Sequence, residues 1–234
     1  MGGRYRPGRL FAPSTWTTTP AWSFGPTTTY FNNGSDVDPF PSPGGVFPFT
    51  AVDTVSATFD SPGKYNLDLT GVDDDDGSSS VAFAKLVTGT EVCTLSQGFW
   101  KHQFSGQGNQ QVDNDTLQAY LAIVNHASGL FSEATPLNSL AEASTVMDAK
   151  GSGMRPKAQA QLLAAWLNFA HGSVGWDELV DTDRDGTGDT AFSEVVSDAE
   201  VILHNPNANQ QELVRAKDLA EAVNLLDQGT EGCE

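Results

Sequence analysis

Two hydrophobic periods divide the chain. Phe49, Ala51, Val55, Ala57 and Phe59 alternate with polar positions, broken only at Asp53, which is the period of two that a half-buried strand requires. Asp60-Ser61-Pro62-Gly63 reads as a turn, after which Tyr65, Leu67 and Leu69 alternate on a second strand. An acidic turn, Asp73-Asp74-Asp75-Asp76-Gly77, leads to a third over Val81 to Val87. Three strands leave open edges, and an open edge invites another strand.

Beyond Lys101 the period changes to that of a helix. Leu117, Tyr120, Leu121 and Val124 follow the i, i+3, i+4, i+7 rule, with Asp115 as the expected N-cap. Ser139 and Glu142 have capping-box spacing, Pro156 suits a first turn, and Gly172 suits a helix end. Between those last two, Leu162, Leu163, Trp166, Leu167, Phe169 and Ala170 are apolar around most of the circumference, so this helix is predicted to be central. Phe192, Val195, Val196, Ala199 and Leu203 mark a further helix stopped at Asn205-Pro206, and Leu213, Ala216, Ala220 and Val223 mark the last. The pattern predicts an α+β chain: an extended Thr/Pro/aromatic arm over 1–46, a small β domain over 47–92, and an all-α domain over 93–234.

The arm carries many prolines, but Tyr5, Phe11, Trp16, Trp22, Phe24, Tyr30, Phe31 and Phe40 are too aromatic for a disordered leader. Thr15 to Thr19 and Thr27 to Phe31 favour extended strands. They are expected to complete the β domain's sheet, in the same chain or in a neighbouring copy.

The chain has two cysteines, Cys93 and Cys233. Joined, they would close most of the helical domain into one loop, stabilising it by about 4 to 5 kcal/mol in the entropic model. An oxidised pair and two ordinary buried thiols both fit the sequence. The stretch Cys93-Thr94-Leu95-Ser96-Gln97-Gly98-Phe99-Trp100-Lys101, with Ala164-Ala165-Trp166-Leu167-Asn168 and Cys233, resembles an uncharacterised module near the ends of secreted bacterial and archaeal surface proteins. That module opens Cys-Thr-x-Thr-Gln-Gly-Tyr-Trp-Lys-Asn-His, continues with an Ala-Ala-x-Leu-Asn helix and closes on a terminal cysteine. Ser96, Phe99 and His102 depart from it, as does a polar insert after Phe104. The resemblance implies an extracellular setting and a disulfide-clasped domain, and brings no catalytic residues.

Charge narrows the partners. The formal net charge is -18, and Arg4, Arg6 and Arg9 all precede the first acid, Asp36. Without those three, nine bases face thirty acids, a charge of -21. Such a body repels nucleic acid and anionic membranes and suits cations or basic surfaces. No apolar run is long enough to span a bilayer. Met1 to Arg6 lacks the apolar core of a signal peptide and does not suit myristoylation.

Among candidate sites the sharpest is Asp181-Thr182-Asp183-Arg184-Asp185-Gly186-Thr187-Gly188-Asp189. Carboxylates at loop positions one, three and five, glycine at six and a carbonyl at seven suit calcium, a hard oxygen-seeking ion. The expected ligands are Asp181, Asp183, Asp185, Thr187 and Asp189, with Glu194 reaching in, because Phe192 stands where an EF-hand has its glutamate. The Asp73 to Asp76 run reads as a charged turn. His102, His126, His171 and His204 lack close ligand spacing and read as caps near helix ends. Trp100, Trp166 and Trp176 read as core ahead of a sugar-stacking platform. No Gly-x-Ser-x-Gly elbow, phosphate-binding glycine loop or His-Glu-x-x-His is present, and nothing brings Glu142 and Glu178 together. Asn33 and Asn114 are glycosylation candidates.

These features predict a non-enzymatic, extracellular, calcium-bound structural protein that self-assembles head-to-tail through its arm (Arg4, Arg6, Arg9, Trp16, Trp22, Tyr30) into a filament, sheath or surface layer. The alternative is an adhesin-like binding module for glycan or a surface partner.

Overall fold

The computed structural model describes residues 59–72, 78–91, 93–106, 110–149 and 153–226, and four two-residue strands nearer the start. Those strands are β1 (Phe11–Ala12), β2 (Thr15–Trp16), β3 (Trp22–Ser23) and β4 (Thr28–Thr29). β2 pairs antiparallel with β3, Trp16 opposite Trp22, nested inside the pairing of β1 with β4, Phe11 opposite Thr29. The described pieces of the threonine runs, Thr15–Trp16 and Thr28–Thr29, are extended, as β-branched composition predicts, and their described partners lie within the leader and not in the sheet of the β domain. Short connections make that pairing the cheaper closure in chain entropy. Arg4, Arg6, Arg9, Tyr30, Asn33, Cys233, Asp73 to Asp76 and the strand expected over 49–57 lie outside the described residues.

β5 (Gly63–Val72) and β6 (Ser78–Val87) form a two-stranded sheet. Tyr65 and Leu67 are buried while Lys64 and Asn66 are exposed, which is the alternation read from sequence. Phe59 packs on Tyr65 with ring centroids 4.5 Å apart. β6 behaves differently: Val81 and Phe83 keep more than half of their surface exposed, at 55% and 53%. The chain divides into two compact units, Met1–Asp60 with Tyr65–Lys85, and Ser61–Lys64 with Leu86–Glu234. The architecture is mixed, helices with small sheets, and fits α+β.

The second unit holds six α-helices among its described residues. α1 (Gln97–Phe104) is capped by Ser96, whose side chain accepts from Phe99 N. α2 (Asn114–Ala127) is capped by Asp113 and not by Asp115. Asp113 is extended and accepts from both the backbone N and the hydroxyl of Thr116, at 2.9 and 2.8 Å, while Asp115 lies inside the first turn. A π-helical turn, Leu130–Ala134, which no periodicity announced, follows. In α3 (Leu140–Asp148) Ser139 accepts from Glu142 N, but Glu142 accepts from Asn138 N, one residue before the expected box partner.

α4 (Met154–His171) is the centre, with Leu162 to Asn168 buried without a break. It ends at Gly172, whose φ of 95° favours glycine. The chain around Gly89 crosses this end so closely that a Cβ on Gly172 would stand 2.1 Å from Gly89 O. The crossing satisfies two helix-end carbonyls, since Gly89 N donates to Ala170 O and Glu91 N to His171 O. α5 (Phe192–His204) and α6 (Gln210–Asn224) bury the apolar positions expected of them. Arg155, at the start of α4, donates to Leu203 O and Asn205 O and so closes the end of α5.

One buried amide ties these helices together. Asn168 Oδ1 accepts from Leu95 N at 2.9 Å and from Trp100 Nε1 at 3.1 Å. Its Nδ2 donates to Leu95 O and to Asn224 Oδ1, each at 2.9 Å. Asn224 in turn donates to the backbone and side-chain oxygens of Gln161. Every donor and acceptor site of the Asn168 amide is therefore used. Gln97 donates to Met147 O, and Lys101 pairs with Asp148 at 2.8 Å. Cys93 carries no free thiol.

Candidate metal centre

The loop 181–189 leaves and re-enters a small antiparallel pair, β7 (Leu179–Val180) and β8 (Thr190–Ala191), with Val180 opposite Thr190. Val180 and Phe192 are fully buried and anchor the loop's two ends in the core. A Cβ on Gly188 would lie 2.6 Å from Leu179 O, so glycine lets the strands close beneath the loop. Arg184 and Gly186 adopt positive φ, 64° and 94°, and fold the carboxylates inward. One oxygen from each of Asp181, Asp183 and Asp185 lies within 4.8 Å of the others.

Backbone N–H groups hold the carboxylates in place. Asp185 N donates to Asp181 Oδ1 and Asp183 Oδ1, each at 3.1 Å, Gly186 N to Asp181 Oδ2 at 2.8 Å, and Thr187 N to Asp185 Oδ1 at 2.8 Å. Arg184 turns away, pairing with Glu221 on α6 at 3.1 Å. Three exposed like charges are thus gathered on a firmly anchored loop, a donor set suited to a hard cation.

Two expected ligands stand elsewhere. Asp189 Oδ1 accepts from the hydroxyls of Thr182 and Thr190 at 3.0 and 2.8 Å and latches the base of the loop. The Thr190 bond foremost, with those from Thr182, holds its carboxyl below the usual range. Glu194 is exposed in the first turn of α5 and is not in the cluster. The helix takes over immediately after β8, carrying position 194 onto its surface. Thr187 supplies the N–H to Asp185 noted above.

The other candidates fall on the bland side. Trp100 and Trp166 are buried, so they form no sugar platform. Trp176 is half-exposed and packs on Trp166, Phe169 and Phe192. Glu178 accepts from Gly175 N and Glu142 from Asn138 N, each serving its own turn. His102, His126, His171 and His204 all lie in the last turns of helices. Asn114 is exposed at the start of α2 and accepts from Gln110 Nε2.

Glu200 on α5 went unremarked in the sequence. It accepts from Ser128 Oγ at 2.5 Å, Trp166 Nε1 at 2.9 Å and Gly129 N at 3.0 Å, capping the π-helical turn from another helix. An acid in the register between Val196 and Leu203 was its only sequence signal. No family model matches the chain, and comparisons with curated proteins and with solved structures find no match.

Proposed function

We propose that the chain is a non-enzymatic building block of an extracellular or surface assembly. Its helical unit is clasped by a Cys93–Cys233 disulfide and pinned by calcium at Asp181, Asp183 and Asp185, and its basic arm engages the acidic body of the next copy. The observation that carries this reading is β6: a sheet with two strands among the described residues exposes Val81 and Phe83 on a strand of ten residues. An apolar strand on so small a sheet is a template for pairing with another chain. The charge contrast between arm and body, and the module that the Cys93 stretch resembles, point the same way.

Light scattering on the full chain tests it, with calcium and with chelator, beside Phe83→Asp and the triple variant Arg4→Glu, Arg6→Glu, Arg9→Glu. Large species from the parent chain and monomers from both variants are expected. A parent chain that stays monomeric at all concentrations overturns the reading.

A further inference from the structure

A tryptophan stands exposed where the chain passes from α4 to β7. Trp176 keeps 47% of its surface open although three aromatic neighbours hold it, with the ring centroids of Phe169, Phe192 and Trp166 lying 5.7, 6.1 and 6.2 Å away. Its backbone is fixed as well. Trp176 O accepts from Ser193 N at 3.1 Å, and the turn around it closes through Glu178 N donating to Gly175 O at 3.2 Å. The indole is therefore an apolar surface that is ordered before anything binds to it.

Carboxylates rim this surface. Asp177 and Glu178 follow the tryptophan directly, and both are exposed. Glu178 Oε2 folds back to accept from Gly175 N at 2.6 Å, which sets its charge beside the residue preceding Trp176. The Ser193 bond brings the first turn of α5, with exposed Glu194, against the same backbone. None of the three acids forms an ion pair with a described residue. The cations of the helical unit are engaged elsewhere: Lys101 pairs with Asp148, Arg184 with Glu221, Arg215 with Asp198, and Lys217 with Asp218 and Glu221. Arg155 donates to the carbonyls that end α5, and Lys157 lies near the start of α4, about 20 Å along the helix from its last residue.

Charge and ring together select the ligand. Nucleic acid and acidic peptides are repelled by the three carboxylates. A neutral ring stacks on the indole but gains no Coulomb energy from the acids. A guanidinium gains both, because its flat face stacks on the indole while its N–H groups donate to carboxylates at the rim. The chain supplies such groups at Arg4, Arg6 and Arg9, all ahead of its first acid, Asp36. Tyr5, Leu10 and Phe11 stand among them in sequence, and Leu179, 55% exposed three residues beyond Trp176, offers apolar surface to such neighbours. We propose that the indole of Trp176, rimmed by Asp177, Glu178 and Glu194, receives an arginine from the N-terminal arm of a second copy. This rests on the assembly reading above and names the point of contact on the body.

The test is light scattering on the full chain beside two variants of the body. The triple variant Asp177→Asn, Glu178→Gln, Glu194→Gln removes three exposed charges and keeps an acceptor for Gly175 N, and it should weaken association about tenfold or more. Trp176→Leu keeps an apolar side chain and removes the stacking face, and it should weaken association about two- to fivefold. Cross-linking identifies the occupant: chains carrying Arg6→Cys, mixed with chains carrying Asp177→Cys and a short bismaleimide, should join as heterodimers, and neither variant should join to itself. A triple variant that associates as tightly as the parent overturns the arginine site and leaves the assembly standing. A chain carrying both cysteines that closes within itself at high dilution places the arm on its own body and overturns the second copy. A parent chain that stays monomeric removes the assembly reading, and with it the arm as occupant.

Discussion

The Asn168 hub and the aspartate loop use polar groups in opposite ways. Around Asn168 each polar atom meets a partner inside the core, and the result is geometry: Leu95, α1, α4 and α6 are held at one point. In the loop the backbone satisfies part of each carboxylate, and three negative charges remain facing solvent within 4.8 Å of one another. A closed network specifies the fold, whereas one left with surplus charge is free to take a ligand. That difference, and not burial alone, separates structural polar residues from candidate functional ones in this chain.

The largest effect is expected at the hub. Asn168→Leu keeps the volume but strands Leu95 N and O and Trp100 Nε1, and removes one hydrogen bond from Asn224. Each orphaned buried group costs about 1 to 3 kcal/mol, so a loss of at least about 3 kcal/mol is expected in urea unfolding. Calcium response should be untouched where the protein remains folded. A loss below about 1 kcal/mol would mean that the network contributes little.

The loop should behave in the reverse manner. Calcium at a hundred times its dissociation constant should raise stability by about 2.7 kcal/mol, and Asp183→Asn should abolish that response. In chelator the same variant is expected to match the parent or exceed it, because one of three crowded like charges is gone. Thermal unfolding with and without calcium reads both. An equal calcium response in parent and variant would remove Asp183 from the site.

Glu200 stands between these extremes, a partly buried charge whose partners are all internal. Glu200→Gln retains the shape and one acceptor oxygen, so a smaller loss of about 1 kcal/mol is expected. A shift in Trp166 fluorescence should accompany it, since the indole N–H donates to this carboxylate. Unchanged fluorescence would argue that the carboxylate contact does not organise the tryptophan.

How far the sequence could be read follows from the same contrast. The stripes of α2, α4, α5 and α6 were legible because burying one helix face demands a period that leucines and alanines display. The clustering of the three carboxylates was legible because the residues of a tight loop are close in sequence. Glu200 and Asn224 were not, since their partners Ser128, Trp166 and Gln161 are distant in sequence and pair only in the folded chain. The visible sign was a polar residue set among apolar neighbours, as with Asn168 after Leu167 and Asn224 after Val223. Glu194 failed for the opposite reason: nearness in sequence suggested a ligand, but the start of α5 turned it outward.

The smallest effect sharpens the comparison because His171 belongs to both kinds of site. Its ring packs against Trp100, within reach of the hub, yet it also lines a recess open to solvent. Burial lowers its folded pKa, and the charge of Glu91 opposes the shift without reversing it. Below the ordinary value of 6.5 the unfolded chain takes up the proton and the folded chain resists it. Stability should therefore be fully present above pH 6.5 and decline as pH falls toward the depressed folded value. Asp113, whose pKa is lowered mainly by the backbone bond from Thr116, contributes its own loss only below its ordinary 3.8, so the two windows separate. His171→Asn should flatten the upper window and leave the lower one in place, as read by urea unfolding across about pH 2 to 8. An unaltered slope between pH 6.5 and 5 would show that this ring is as open to water as the aspartates of the loop.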